Sequence, residues 1–351
     1  MRLNLKYNNL LDIINLKYKV YYPLQEFVSK SDFLSILNNY RLKNRKFFPF
    51  PIFINISTIQ YNKFRKIKMI KAYYKSKRVC NLKLKSFYTL NKRRIGQIMF
   101  STQDTKHPGF NDFLSSGNYF IHCKIKNFNS KIMKNLNFNS PYELKSKFIK
   151  HGLKTIAGFH TRNAPHRAHE WIHNLGLKKC DGLLIQPLVG QFKKNEYKEK
   201  ILIKSNLKLV KEIYRRKNIF LGIVNAYPRY AGPREALLHA IIRRNFGCTH
   251  FLVGRDHAGI GKYYSKYQSQ RLCKKYARSL KIKIISFKEP YLCASCKKIV
   301  NRECFNCHKN AKQLINGTSI RKLLIRNLNI PDIYMRKEIS NLLGSNSIIQ
   351  K

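Results

Sequence analysis

Four short runs of continuously apolar residues recur through the chain: Thr155-Ile156-Ala157-Gly158-Phe159, Gly182-Leu183-Leu184-Ile185, Ile219-Phe220-Leu221-Gly222-Ile223-Val224 and Thr249-His250-Phe251-Leu252-Val253. Each has the length of a strand, and each is apolar at successive rather than alternate positions. Strands of that kind are covered on both faces. Stretches of helical character separate them. Parallel strands cannot be joined by a tight turn, so each needs a crossover, and crossover helices supply the covering layers. From about residue 150 onward the chain is therefore predicted to be an α/β domain, with ligands at the carboxyl ends of its strands. Upstream, short apolar runs are punctuated by turn signals, as in Phe48-Pro49-Phe50-Pro51-Ile52-Phe53-Ile54 and His107-Pro108-Gly109, which predicts a small, mainly β domain.

The first of the four runs leads straight into His160-Thr161-Arg162-Asn163. A helix is expected next, with Asn163 as N-cap, Pro165 in the first turn and Gly176 as the stop. Its free N–H groups and positive dipole end would then face the strand's exit, where a phosphate can bind. His166 and His169 are three residues apart, so they share one face of that helix. Taken alone, such a pair is an ordinary polar face, and it lacks the i,i+4 spacing and glutamate of a zinc-protease helix. The preceding Thr-Arg-Asn at a strand-to-helix junction favours a diphosphate clamp.

A second junction has the same character. The run ending at Val253 enters Gly254-Arg255-Asp256-His257-Ala258-Gly259. The glycines allow close backbone approach, and Arg255 offers a planar charged fork suited to a tetrahedral oxyanion. Before it, Arg229-Tyr230-Ala231-Gly232-Pro233-Arg234-Glu235 reads as a turn into a helix reaching about Gly247, with Glu235 expected to cap that helix.

The net charge of +53, from 70 Lys and Arg against 17 Asp and Glu, points by itself to a polyanion partner. The lysines are spread along the whole chain among Asn, Ile, Tyr and Phe, as drift toward A- and T-rich codons would leave them, so nucleic acid is the weaker reading. The same field draws small anions. No apolar run approaches the roughly 20 residues of a membrane span, so no membrane association is expected. The start lacks the apolar core and cleavage site of a signal peptide. A soluble protein of the cytoplasm or an organelle interior is expected, a transit peptide remaining open. Four of the nine cysteines fall between Cys293 and Cys307. Cys293-x-x-Cys296 followed by Cys304, Cys307 and His308 has the spacing of a tetrahedral zinc knuckle, with a redox pair or incidental thiols as the alternatives.

Taken together, residues 160–170, 229–239 and 253–261 resemble the three signature blocks of the single-chain type of the ATP sulfurylase (sulfate adenylyltransferase) family. Tyr22-Pro23-Leu24-Gln25-Glu26-Phe27, Thr105-Lys106-His107-Pro108-Gly109, Pro187-Leu188-Val189-Gly190 and Ile315-Asn316-Gly317-Thr318-Ser319-Ile320-Arg321 match as well, in order, over nearly the whole chain. The resemblance implies a PUA-like β-rich N-terminal domain at 1–150, a Rossmann-like nucleotidyltransferase domain at 151–290 and a small zinc-containing C-terminal subdomain at 291–351. It implies a catalytic trio at Thr161, Arg162 and Asn163, with His166 and His169 stabilising the transition state. A nucleotide-binding run falls on Gly254, Arg255, Asp256 and His257, with Ala258 beside sulfate and Tyr291 near adenine. Where the family carries Gln at the head of the first block, this chain has His160, and either side chain can offer a neutral hydrogen bond. The knuckle of the family uses three Cys and one His, here Cys293, Cys296, Cys304 and His308, with Cys307 competing for the fourth place. Four protein ligands would make the zinc structural.

The implied reaction joins sulfate to the α-phosphate of ATP, giving adenylyl sulfate and diphosphate, and it can be followed in either direction. Magnesium accompanies ATP, and a homo-oligomer is expected. Sulfate is already deprotonated at neutral pH, so the attack needs no general base. Catalysis should come from aligning two repelling anions and neutralising their charge, which suits a site of Arg and His with few carboxylates. Arg162 and Arg255 are expected to hold sulfate, Thr161 and Asn163 the α- and β-phosphates, and His166 with His169 the diphosphate. The rivals are a nucleotidyltransferase of the same His-x-x-His class with another acceptor, and a basic nucleic-acid-binding protein. No P-loop occurs in the sequence, so no fused adenylyl sulfate kinase is expected.

Overall fold

The structure, a computed structural model, describes residues 1–190, 195–301 and 312–349. The chain begins β1 (Arg2–Asn4), α1 (Tyr7–Lys17), α2 (Lys30–Asn39), β2 (Ile54–Ile56), α3 (Thr58–Phe64), β3 (Met69–Tyr74), β4 (Lys77–Tyr88), α4 (Lys92–Phe100), α5 (Pro108–Leu114), β5 (Tyr119–Lys126) and α6 (Pro141–Lys150). It continues β6 (Ile156–Thr161), α7 (Arg167–Leu177), β7 (Gly182–Val189), α8 (Glu199–Lys208), β8 (Ile219–Leu221), β9 (Val224–Asn225), α9 (Gly232–Asn245), β10 (His250–Val253), α10 (Gln268–Lys275), α11 (Ala277–Leu280) and β11 (Lys283–Ser286). Last come β12 (Tyr291–Cys293), β13 (Lys298–Val300), β14 (Lys312–Gln313), α12 (Gly317–Ile325) and α13 (Lys337–Ser340). One compact unit takes Met1–Pro141, Ala226–Phe246 and Asp256–Ile282, and the other takes Tyr142–Asn225, Gly247–Arg255 and Lys283–Lys351.

In the first unit a five-stranded sheet runs in the order β1-β3-β4-β5-β2, antiparallel except for the parallel β1–β3 pair. Phe33, Phe53, Phe113 and Phe120 pack beside it, with Phe53 and Phe120 ring centroids 5.3 Å apart. The unit is richer in helix than the turn signals predict. In α1, residues 10–16 are buried without a break, Asp12 and Asn15 included, so no 3.6-residue apolar stripe marks it in the sequence.

Helix α9 belongs to this unit through polar anchors. Arg234, itself buried, donates to the carbonyls of Ile36, Leu37 and Pro49 at 3.2, 3.0 and 2.9 Å, which satisfies the open carbonyl end of α2. Asn245 donates to the carbonyls of Val20 and Tyr22 at 2.9 and 2.7 Å. Glu235 accepts the backbone N–H groups of Arg229 and Ala231 at 2.8 and 3.0 Å, which is the capping role expected of it.

The second unit is built on a parallel sheet in the order β11-β10-β6-β7-β8, with β9 pairing β7 beyond the end of β8. The α/β expectation holds, and β7 is buried at every position. The run at 219–224 is not one strand: it breaks at Gly222, where a Cβ would stand 2.5 Å from Leu144 of α6. β11, which the apolar pattern did not flag, forms the edge of the sheet. From β6 the chain steps outward to β7 and β8, then returns to the other side of β6 with β10 and β11. The order therefore reverses between β6 and β10, and the crevice at their carboxyl ends is where such sheets bind ligands.

The remainder of this unit is a small antiparallel sheet, β13-β12-β14, followed by α12 and α13. Arg336 grips Glu170 of α7 through two nitrogens at 3.0 and 2.8 Å, and Arg167 pairs with Asp332 at 2.8 Å. These contacts fix the start of α7. Among the described residues no helix is long and apolar enough to cross a membrane.

Candidate functional site at the ends of β6 and β10

β6 carries His160 and Thr161 as its last residues, opposite Gln186 and Pro187 of β7. The Thr161 hydroxyl then closes a tight turn: it accepts the Asn163 N–H at 3.0 Å and donates to the Asn163 carbonyl at 3.2 Å. This turn changes the expected helix. Asn163 is not the N-cap, and α7 begins at Arg167 with His166 as N-cap in extended conformation, φ −137° and ψ 169°. Local chemistry explains the shift, because the hydroxyl holds Asn163 out of a helix and Ala164 precedes Pro165, where the α region is disfavoured. The N–H of Arg167 is taken by the carbonyl of Tyr334 at 2.9 Å, so it is not open to a phosphate as expected. Gly176 does not stop the helix either: it lies inside α7, where a Cβ would stand 3.1 Å from Ala157 and Leu252.

The two histidines nevertheless meet. Their ring centroids lie 3.7 Å apart with the planes 22° from parallel, and the ring of Phe159 stands edge-on to His169 at 5.1 Å. The Nδ1 atoms of both are buried and have no protein partner among the described residues. Unpaired buried nitrogens of this kind are expected to meet a ligand or water. Burial pushes the His169 imidazole down to about 3. Burial, with the neighbouring histidines and Arg321 adding to it, also holds His166 well below its ordinary value, and burial with His169 does the same to His173. All three rings are neutral in the free protein at neutral pH.

That neutrality makes an acid-labile fold. Unfolding returns these imidazoles to an ordinary value near 6.5, so below it the unfolded chain binds more protons than the folded one. The stability they contribute is fully present above pH 6.5 and is lost as the pH falls toward about 3, where folded His169 itself takes a proton. The urea midpoint of the second unit should drop between pH 7 and pH 5, and an unchanged midpoint would contradict neutral burial.

Arg162 is half-buried and pairs with Glu196 at 3.3 Å, and Arg255, two residues past the end of β10, pairs with Glu289 at 2.5 Å. The arginines thus stand at the ends of adjacent strands, each beside one carboxylate. A Cβ on Gly254 would meet only Phe287, at 3.8 Å, so the backbone there has room for a close neighbour. From α12, Arg321 donates to the Asn163 side-chain oxygen and, at 3.2 Å, to the Thr318 hydroxyl. Burial pulls its guanidinium below the ordinary value. Gly317, at the start of α12, is so close that a Cβ would collide with the Asn163 amide.

Sequence reasoning on single residues missed Arg321, Glu196 and Glu289. Arg321 had a signal, since it ends the run 315–321 that matched the family. The two glutamates had none, since neither stands in a recognisable motif.

Asp256, His257 and Ala258 belong to the first unit. Ala258 is left-handed at φ 59°, its carbonyl accepts the Gly232 N–H at 3.1 Å, and His257 lies 3.0 Å from His239. Tyr291 is buried on β12 with the Lys312 ammonium 4.6 Å over its ring. Cys293 ends β12, buried, and Cys296 lies in the turn that leads to β13. Cys304, Cys307 and His308 are outside the described residues.

The ATP-sulfurylase family model matches residues 137–346 and a PUA-like domain model matches residues 1–130. The sulfate adenylyltransferase of Thermococcus onnurineus is 34% identical over 336 residues, covering 95% of this chain and 88% of that protein. That of Pyrococcus abyssi is 32% identical over 345 residues, covering 98% and 90%. Among solved structures, a hexameric APS kinase from Thiobacillus denitrificans superposes with a TM-score of 0.74 at 16% identity over 97% of this chain, which spans 62% of that one. At that identity the likeness bears on the fold alone. With an α/β fold, a PUA-like N-terminal domain and full-length relatives of one name, the chain belongs to the ATP-sulfurylase family.

Proposed function

We propose that this chain is a sulfate adenylyltransferase, transferring the adenylyl group of ATP to sulfate with release of diphosphate. The observation that carries the reading is the set of groups at the switch point between β6 and β10. Two arginines each beside a carboxylate, a third arginine on Asn163 and two neutral histidines whose Nδ1 atoms are buried make a site built to receive anions.

In this reading sulfate competes for Arg162 and Arg255, each of which exchanges a carboxylate for an oxyanion. Thr161 and Asn163 meet the α- and β-phosphates, and Arg321 holds the Asn163 amide in place. His166 and His169 lie under the departing diphosphate and donate hydrogen bonds through nitrogens that the protein leaves unpaired. No residue takes a proton from sulfate, because sulfate has none to give at neutral pH. His160, Gly254, Asp256, His257, Ala258 and Tyr291 complete the nucleotide and sulfate contacts. Magnesium arrives with ATP as part of the substrate. The net charge of +53 raises the local concentration of all these anions, so capture is salt-sensitive. The soluble, cytoplasmic homo-oligomer expected of the family belongs to the same reading.

Formation of ATP from adenylyl sulfate and diphosphate tests the proposal, and an inactive parent protein would refute it. Gly317→Ala supplies a finer test. Its methyl group would push Asn163 aside, and a displacement near 1 Å in such a site costs up to about 100-fold in rate, so kcat/KM should fall at least about tenfold in a folded protein. Unchanged kinetics would remove Asn163 from the site.

Zinc is part of the proposal as a structural ion. What supports the reading is a Cys-x-x-Cys, with the spacing of half a tetrahedral thiolate site, at the turn of a small antiparallel sheet. Cys304 and His308 would complete it, with Cys307 as the alternative. The ion would pin the segment before α12 and take no part in the chemistry. Cys296→Ser should lower the zinc content of purified protein from about one equivalent toward zero, and unaltered zinc would refute the knuckle.

A further inference from the structure

We propose that Tyr197 is a further substrate-binding residue, whose hydroxyl donates a hydrogen bond to an oxyanion of the substrate beside Arg321. The proposal rests on the adenylyl-transfer reading for the identity of that oxyanion. Every residue it uses lies in the second unit.

Tyr197 directly precedes Lys198, the N-cap of α8. Its side chain is 1% exposed, and the hydroxyl is buried with no hydrogen-bond partner among the described residues. Buried hydroxyls are normally paired, and one that the protein leaves unpaired is expected to meet a ligand or water. Stability alone does not call for a phenol here, because phenylalanine would fill nearly the same space without burying an unpaired polar atom.

The backbone holds the residue from both sides. The N–H of Asn195 donates to the Ile349 carbonyl at 2.8 Å, that of Ile349 to the Glu196 carbonyl at 2.9 Å, and that of Lys198 to the Ser347 carbonyl at 2.9 Å. Tyr197 itself stands opposite Ile348 in an antiparallel bridge. Its neighbour on this strap, Glu196, pairs with Arg162 at 3.3 Å. Arg321, which donates to the Asn163 side chain, is the charge that acts on the phenol. The strap thus joins Tyr197 to the anion-receiving groups as a fixed part.

The surroundings decide what the hydroxyl can do. Burial holds the phenol above its ordinary value although Arg321 works against it, so the hydroxyl keeps its hydrogen at neutral pH. A nearby cation orients the hydroxyl dipole with its oxygen toward the guanidinium and its hydrogen away. That hydrogen then needs an acceptor. Sulfate and phosphate oxygens are strong ones, and a hydrogen bond to a charged oxygen exceeds a neutral pair in strength. Glu196 and Tyr197 therefore do complementary work. The carboxylate accompanies Arg162 until the oxyanion arrives, and the hydroxyl gains its partner only when it does.

Tyr197→Phe removes the hydroxyl and keeps the ring. Calorimetric Kd values of parent and variant for adenylyl sulfate, AMP and diphosphate separate the sources of the oxyanion. A loss of about tenfold or more for adenylyl sulfate but not for AMP places the hydroxyl on the sulfuryl group. A loss shared by adenylyl sulfate and AMP places it on the α-phosphate, and a loss for diphosphate places it on the leaving group. The urea midpoint of the ligand-free variant should equal or exceed that of the parent, because no protein hydrogen bond is lost. Affinities within a factor of two for all three ligands would overturn the donor role. A lowered midpoint would overturn it too, by showing that the hydroxyl serves the fold. A parent protein that binds none of the three sinks the proposed function together with this ligand, whereas a parent that binds them no better than the variant does sinks Tyr197 alone.

Discussion

Replacing Arg162 by alanine should lower kcat/KM for ATP formation from adenylyl sulfate and diphosphate by about 100- to 1,000-fold, the loss typical of removing one preorganised charge-stabilising donor. The expectation comes from what the guanidinium does and from what its removal uncovers. Arg162 leaves the end of β6 at the point where the sheet order reverses, and it pairs with Glu196 at 3.3 Å. Truncation removes a planar fork suited to a tetrahedral oxyanion. It also leaves the Glu196 charge beside a site that must take up two anions, and that repulsion adds to the loss. The second effect can be separated. Glu196→Gln in the alanine background should recover part of the activity, whereas Glu196→Gln alone should change kcat/KM by less than about tenfold. Lysine at 162 should rescue poorly, because an ammonium matches the charge but not the bidentate geometry. An alanine variant within a factor of three of the parent, measured on protein with an unchanged urea midpoint, would remove Arg162 from the reaction.

The parts of this site that were legible in the sequence share one physical property: their signal is local. β6, β7 and β10 announce themselves because strands covered on both faces are apolar at every step, and the residues just past their ends are fixed by the strands themselves. His166 and His169 were found for the same reason, being three residues apart beside a strand exit. Their stacking at 3.7 Å was not foreseen, because the helix that was expected to carry both starts only at Arg167. That error came from reading Asn163 as a cap. The Thr161 hydroxyl outcompetes the helix for the Asn163 N–H, and Pro165 restricts the residue before it.

What stayed hidden depends on partners far along the chain. Gly222 breaks the run at 219–224 because α6 brings Leu144 against it, and no window around Gly222 contains Leu144. Arg321 reaches Asn163 across 158 residues, and Glu289 reaches Arg255 across 34. Helix α1 was invisible for the opposite reason, since burial on all sides erases the apolar periodicity that betrays a surface helix.

The largest effect on stability is expected in the first unit, at Asp12. This carboxylate is 1% exposed on α1 and serves three partners: Arg229 Nη2 at 2.7 Å, the Tyr21 hydroxyl at 2.9 Å and the Tyr227 hydroxyl at 2.9 Å. Burial works against the charge of Arg229, but Asp12 together with Tyr227 and Tyr21 outweighs that and holds the guanidinium above its ordinary value. Asp12→Ala leaves that cation buried without its counter-ion and removes an acceptor from two phenols. Removing one partner of a buried pair costs about 3–5 kcal/mol, enough to consume much of the stability of an ordinary domain. If charge is the cause, deleting the cation as well must restore most of the loss. Asp12→Leu with Arg229→Met fills the space with apolar atoms of similar volume, and the rings of Tyr227 and Phe50, at 4.2 and 5.2 Å from the guanidinium carbon, can pack against the methionine. The double variant should therefore lie within about 1–2 kcal/mol of the parent in urea unfolding, far above Asp12→Ala. Should the single and double variants be equally destabilised, the pair would be acting through shape rather than charge, and α1 would be held to the segment before α9 by packing alone.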